Sequence, residues 1–84
     1  MPHIESANAA SEIGLEWTLA ALWAEVLRLD RVGMRDNFFD LGGSSILIQT
    51  LRVKLEALIG RKVPITDLYE FPTVSALAAH LASS

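Results

Sequence analysis

The sequence contains no cysteine. Disulfides and thiolate metal sites are therefore excluded, and nothing in the chain calls for an oxidising compartment. Any thiol chemistry must come from a group the chain does not encode. Positive charge is scarce as well. Seven Lys and Arg face ten Asp and Glu, a net charge of −3, and the basic patch of a nucleic-acid binder is missing. The longest stretch without a formal charge, Phe71 to Ser84, spans 14 residues, against the roughly 20 of a membrane-spanning helix. The start, Met1-Pro2-His3-Ile4-Glu5, lacks the basic segment and apolar run of a signal peptide, so the expected compartment is the cytoplasm. What the chain has in quantity is apolar residues, 51% of 84. That length allows one small domain, which buries only roughly 60–65% of its unfolded surface and leaves little room for a deep catalytic cavity beside the core.

Residues 1–10 are small and polar without periodicity, and read as a flexible tail or linker. The domain is expected over residues 11–82, with 83–84 as a C-terminal tail. A first helix is predicted from Ser11-Glu12, with Ser11 as its cap, to about Leu29. Leu15, Leu19, Leu22, Val26 and Leu29 form one stripe that Trp23 widens, while Trp17 points roughly the other way. The connection from Asp30 to Gly43 carries Val32, Met34, Phe38, Phe39 and Leu41, which is apolar enough to be pinned to a core. A second helix is predicted from Ser44 or Ser45 to about Ile59, stopped by Gly60. Val63-Pro64 reads as extended, Ile65 to Tyr69 as a short helical turn, and Thr73 as the cap of a last helix reaching about Ala82. Val74, Leu77, Ala78 and Leu81 share one face of it. The fold class is all-α: a small four-helix bundle with three longer helices, a short third one and a long apolar loop between helices one and two.

On a wheel at 100° per residue, Leu47, Ile48, Leu51, Leu55 and Leu58 fall on one side of the second helix, the predicted buried face. Gln49, Ile46, Val53 and Glu56 lie opposite, and Ser45 stands at the edge of that outer face. Ile46 and Val53 are two apolar residues where polar ones belong, beside a hydroxyl presented after Gly42-Gly43, and together they read as a modest docking surface. Ser45 has three readings. Position alone makes it a helix cap, with Ser44 an equal candidate, so that one of the two is spare. A nucleophile elbow is the second reading, but the second Gly of G-x-S-x-G is missing, and His3 and His80 stand near the two chain ends, His80 reading as a solvated residue. The third is attachment: a helix N-terminus favours a phosphate by about 0.3–1 kcal/mol, and the attached group would then hold the chemistry.

Asp36-Asn37-Phe38-Phe39-Asp40-Leu41-Gly42-Gly43-Ser44-Ser45-Ile46 resembles the D-x-F-F-x-L-G-G-x-S-[LI] motif of carrier (thiolation) domains of nonribosomal peptide synthetases and polyketide synthases. Leu22-Trp23-Ala24-Glu25-Val26-Leu27 and Leu68-Tyr69-Glu70-Phe71-Pro72-Thr73-Val74 extend the resemblance. It implies a four-helix bundle with a short third helix and a 4′-phosphopantetheine arm, taken from coenzyme A, on Ser45, with Gly43 and Ser44 beside it. Leu41-Gly42-Gly43 looks more like peptidyl carriers than like the L-G-x-D-S of many acyl carriers, with a polyketide role as the alternative.

The implied function is a non-catalytic shuttle that holds an aminoacyl or acyl group as a thioester on the arm. The implied partners are a phosphopantetheinyl transferase, an adenylation or acyltransferase loading domain, a condensation or ketosynthase domain, and a thioesterase or other release or tailoring enzyme. Ile46, Val53, Gln49 and Met34 are the expected docking residues, with Met34 equally placed for the core. No metal, nucleic acid or membrane is expected, and the domain reads as a monomer. The rival reading is a non-covalent helical interaction module in which Ser45 is only a cap.

Overall fold

The computed structural model describes the backbone of residues 4–83 and the side chains of residues 14–83. Four helices run through them: α1 (Ile4–Leu27), α2 (Ser45–Ile59), α3 (Ile65–Glu70) and α4 (Val74–Ser83). Among the described residues there is no strand. α1 packs against α2 and α4, and α3 leans on α2. The predicted bundle, with its short third helix, is therefore the observed architecture.

The core collects the predicted stripes. Leu19, Leu22, Trp23 and Val26 of α1 meet Ile48, Leu51 and Leu55 of α2, Leu68 of α3, and Val74, Leu77, Ala78 and Leu81 of α4, with Phe38 and Val63 from the connections. Fully burying one such side chain contributes on the order of 1.5–3 kcal/mol. Two aromatic edges order the centre. Trp23 meets Phe38 edge-on at 5.6 Å, and Phe38 meets Phe39 in the same way at 5.6 Å.

Several boundaries and one burial differ from expectation. The first helix begins at Ile4 rather than at Ser11, so residues 4–10, expected as a tail or linker, are helical; residues 1–3 lie outside the described residues. No glycine or proline interrupts residues 4–10, and three alanines lie within 4–10, so backbone propensity extends the helix where side-chain periodicity gave no signal. The helix stops at Leu27, two residues early. Arg28 takes φ 59°, and the Arg28 N–H to Glu25 O and Leu29 N–H to Ala24 O bonds, 3.3 and 2.9 Å, close a Schellman turn. Leu29 leaves the apolar stripe and is exposed. At the other end α4 includes Ser83, one residue past the expected Ala82, and Ser84 lies outside the described residues. Leu58 was expected on the buried face and is 57% exposed. Its angle on α2 is right, but it sits in the last turn, one turn past the buried Leu55. Periodicity gives the angle of a residue and not how far the neighbouring helices reach.

Surface pairs tie the helices together. Lys54 Nζ lies 3.0 Å from Glu25 Oε2, linking α2 to α1. The Arg61 guanidinium donates to the Leu81 carbonyl at 2.8 Å near the end of α4. His80 is half-buried rather than solvated: its Nε2 lies 3.0 Å from Asp67 Oδ2, and its ring stacks on Phe71 at 4.3 Å. That pair joins α4 to α3.

Candidate functional site

The connection before α2 is shaped from inside. Phe38 is fully buried, and its N–H donates to the Pro72 carbonyl at 2.8 Å, fastening the loop to the start of α4. Ser75 N–H does the same to the Met34 carbonyl at 2.9 Å. Asn37 folds the next turn, its Oδ1 accepting the Phe39 N–H at 2.8 Å and the Asp40 N–H at 3.4 Å. Asp36 closes the preceding turn by accepting the Gly33 N–H at 3.1 Å. Gly43 N–H then bonds to the Phe38 carbonyl at 3.0 Å. A Cβ on Gly43 would stand 2.7 Å from that carbonyl oxygen and would overlap the Phe38 ring. Gly42 has φ 107°, a conformation that residues with a side chain rarely adopt. The two glycines thus answer two different demands: close approach at Gly43 and backbone angle at Gly42.

Ser44 closes the end of α2. Its backbone is extended, its Oγ accepts the Leu47 N–H at 3.3 Å, and its carbonyl accepts the Ile48 N–H at 2.8 Å. Ser44 is therefore the cap, and the reading of Ser45 as the cap is overturned. Ser45 is the first helical residue and is exposed. Its Oγ accepts a hydrogen bond from the Tyr69 hydroxyl at 3.4 Å. Tyr69 belongs to α3, is 46% exposed, and stacks on Phe39 with ring centres 5.4 Å apart and planes 12° from parallel. The N–H groups of Ser45 and Ile46 head the helix and lie outside its own ladder. The first turn of α2 holds no acidic residue.

A shallow groove lies on the outer face of α2, lined by Ile46, Gln49, Thr50, Val53 and Lys54. Ile46 is 78% exposed and Val53 61%. Three of the four sequence-derived docking residues thus come together beside Ser45. Met34 does not join them. It is partly buried against the core and lines a separate depression with Trp17, Ala20, Ala24 and Val32. Thr50 and Lys54 were missed, although helical spacing from Ile46 and Val53 would have found them; Tyr69, 24 residues from Ser45 in sequence, had no local signal.

This arrangement can do one thing well. It offers a hydroxyl that no backbone needs, at a helix end whose partial positive charge and free N–H groups suit a phosphate. Ser45 is exposed, with the Tyr69 hydroxyl 3.4 Å from its Oγ. A helical bundle built to present such a group defines a carrier domain, and the chain belongs to the phosphopantetheine attachment site family, whose model matches residues 17–81. Its cofactor is covalent 4′-phosphopantetheine, and the residues around Ser45 fit a phosphate-linked group. The chain is 47% identical over 64 residues to a PKS-NRPS hybrid synthetase of Aspergillus niger, matching 76% of this chain and 4% of that protein. It is 41% identical over 78 residues to surfactin synthase subunit 2 of Bacillus subtilis, matching 93% of this chain and 2% of that protein. The chain thus spans only a few per cent of these curated relatives' length. Among solved structures it resembles BlmI, a type-II acyl carrier protein from Streptomyces verticillus involved in bleomycin biosynthesis. The TM-score is 0.88 at 32% identity, covering 92% of this chain and 93% of that one. It also resembles the structure of the phosphopantetheine transferase Sfp in complex with coenzyme A and a peptidyl carrier protein. There the TM-score is 0.78 at 30% identity, over 83% of this chain and 91% of that one. The chain is a carrier domain of the nonribosomal peptide and hybrid polyketide type. Among the described residues no helix is long and apolar enough to cross a membrane.

Proposed function

We infer that Ser45 is the residue that takes the arm and that residues 11–82 form the carrier unit. One observation carries this: Ser44 Oγ caps α2, which leaves the exposed Ser45 hydroxyl without a structural duty. Once bound, the group supplies a thiol on which an aminoacyl or acyl cargo rides. The protein's own residues do the rest. Gly42 and Gly43 shape the turn that leads into α2, the N–H groups of Ser45 and Ile46 face the phosphate, and the Ile46, Gln49 and Val53 groove meets incoming enzymes. The domain itself is non-catalytic in this reading. Its contribution is effective concentration, roughly millimolar for a group on a short flexible tether.

The partners follow from that role: a phosphopantetheinyl transferase, an adenylation domain for loading, a condensation domain, and a thioesterase or tailoring enzyme for release. The groove is small, which suits brief contacts below the size of a stable interface. Cytoplasmic residence belongs to the same reading, because coenzyme A is the donor. An aminoacyl cargo is favoured by the resemblance to surfactin synthase and to a peptidyl carrier. An acyl cargo of polyketide type is the second reading, supported by the hybrid synthetase relative.

The test is incubation with coenzyme A and a broad-specificity phosphopantetheinyl transferase, followed by intact-mass measurement. The unmutated protein gains one arm, and Ser45→Ala gains none while keeping its helical circular dichroism. A gain in Ser45→Ala moves the site to another hydroxyl. No gain in the unmutated protein, with a competent transferase, removes the reading altogether.

A further inference from the structure

The Tyr69 hydroxyl reaches Ser45 from another helix, and neither capping nor core packing requires it to. We propose that Tyr69 is a ligand of the group on Ser45, donating to Ser45 Oγ before modification and to the phosphodiester afterwards. This rests on the reading of Ser45 as the attachment residue.

The phenol is held in place by a relay of rings from the core. Trp23 and Phe38 are fully buried; Phe38 meets Phe39 edge-on; Phe39 stacks on Tyr69. The Phe39 backbone is itself fixed by Asn37. Each contact restrains the next, so the half-exposed Tyr69 ring is anchored through its face while its hydroxyl stays at the surface. Aromatic pairs of this kind are worth more than their buried area alone.

The hydrogen bond to Ser45 is long, 3.4 Å, and joins two neutral groups, so it is weak. Modification changes the acceptor. The Oγ proton leaves to a base on the transferase, an Oγ–P bond forms, the P–O bond inside the diphosphate of coenzyme A breaks, and adenosine 3′,5′-bisphosphate departs. Oγ becomes an ester oxygen, a poorer acceptor. On the phosphorus it now bonds stand two oxygens sharing a negative charge. A hydroxyl bonded to an anionic oxygen makes a shorter contact, about twice as strong as a neutral pair. Tyr69 then holds the root of the arm against α3 and leaves its thiol end to move. A phenylalanine at this position would keep the stack on Phe39 and lose only the donor.

The sequence contains a single tyrosine, so one labelled atom reports on this contact. Protein carrying [13Cζ]tyrosine is compared by NMR before and after modification, with the attachment residue located by peptide mapping. Phosphorus-31 spectra are then recorded for the modified unmutated protein and for modified Tyr69→Phe. The 13Cζ resonance is expected to shift on modification, and the phosphorus line of Tyr69→Phe to be displaced and narrower than that of the unmutated protein. With the arm mapped to Ser45, either line staying where it was overturns the role of Tyr69 and leaves the attachment site standing. A peptide map that places the arm elsewhere overturns the Ser45 reading, and this one with it. The comparison of unmodified and modified protein needs no substitution, so it holds whatever the variant does to the fold.

Discussion

Phe38 and Ile46 lie eight residues apart and at opposite limits of exposure, one fully buried and the other 78% exposed. Between them the chain has two sides with different duties. The side that holds the fold, Phe38, Gly43 and Ser44, sets the backbone: a ring in the core, a glycine pressed against that ring, and an exposed hydroxyl that caps α2. The outward side, Ser45, Ile46 and, one heptad on from Ile46, Val53, contributes little to packing. A single short segment therefore separates holding the fold from offering a surface, and substitutions should sort by side and not by distance from Ser45.

The sharpest break of that comparison is Phe38→Ala. Removing a buried phenylalanine costs about 3–5 kcal/mol, against a total stability on the order of 4–13 kcal/mol for a chain of this length. Urea unfolding monitored by circular dichroism is expected to show a protein at the edge of folding. Gly43→Ala comes next, at about 1–3 kcal/mol, because its methyl must displace the Phe38 ring or carbonyl. If Gly43→Ala unfolds at the same urea concentration as the unmutated chain, the loop is not pinned in the way described.

Smaller, and more telling, is the pair of neighbouring serines. Ser44→Ala loses the bond to the Leu47 N–H and is expected to cost about 1 kcal/mol, while the mass gain with coenzyme A and transferase persists. Ser45→Ala is expected to reverse the pattern, with stability within about 0.5 kcal/mol of the parent and no mass gain. If both serines changed stability equally, the division of labour between them would be lost.

The serine pair also marks how far the sequence could be read. That one of the two is spare follows from their positions, and the motif register puts the arm on Ser45; position alone does not say which hydroxyl caps α2, because an Oγ reaching an N–H three residues on depends on the backbone angles of the cap. The core stripe of α4 and the stop at Gly60 were legible, since both are local rules of period and chirality. The α1 start was hidden because propensity without periodicity is a weak signal. Its end was hidden because a positive φ fell on Arg28, where a glycine is the usual marker. Tyr69 lies within a segment that carries the family resemblance, yet its contact with Ser45 crosses 24 residues and exists only after α3 folds back on α2. Met34 sits in a loop, where helical geometry does not reach to separate a core role from a docking one.

The smallest effect on stability is expected on the outer groove, and it bears most directly on the comparison. At Ile46→Asp the new charge stands in the first turn of α2, where the helix dipole favours it by about 0.3–1 kcal/mol. Val53→Asp lacks that gain, being mid-helix, and as a surface substitution is expected to stay within about 0.5 kcal/mol of the parent. Both residues are mostly exposed, so neither substitution opens a cavity. Unfolding midpoints should therefore barely move, while the rate of loading by an adenylation domain falls several-fold, because a charge now lies where an apolar contact formed. Val53→Asp is the cleaner of the two, since Ile46→Asp also places a negative charge beside the phosphate. A large loss of stability in Val53→Asp would put this face inside the fold; unchanged stability with unchanged loading would leave the groove without a role and confine the outward side to Ser45 alone.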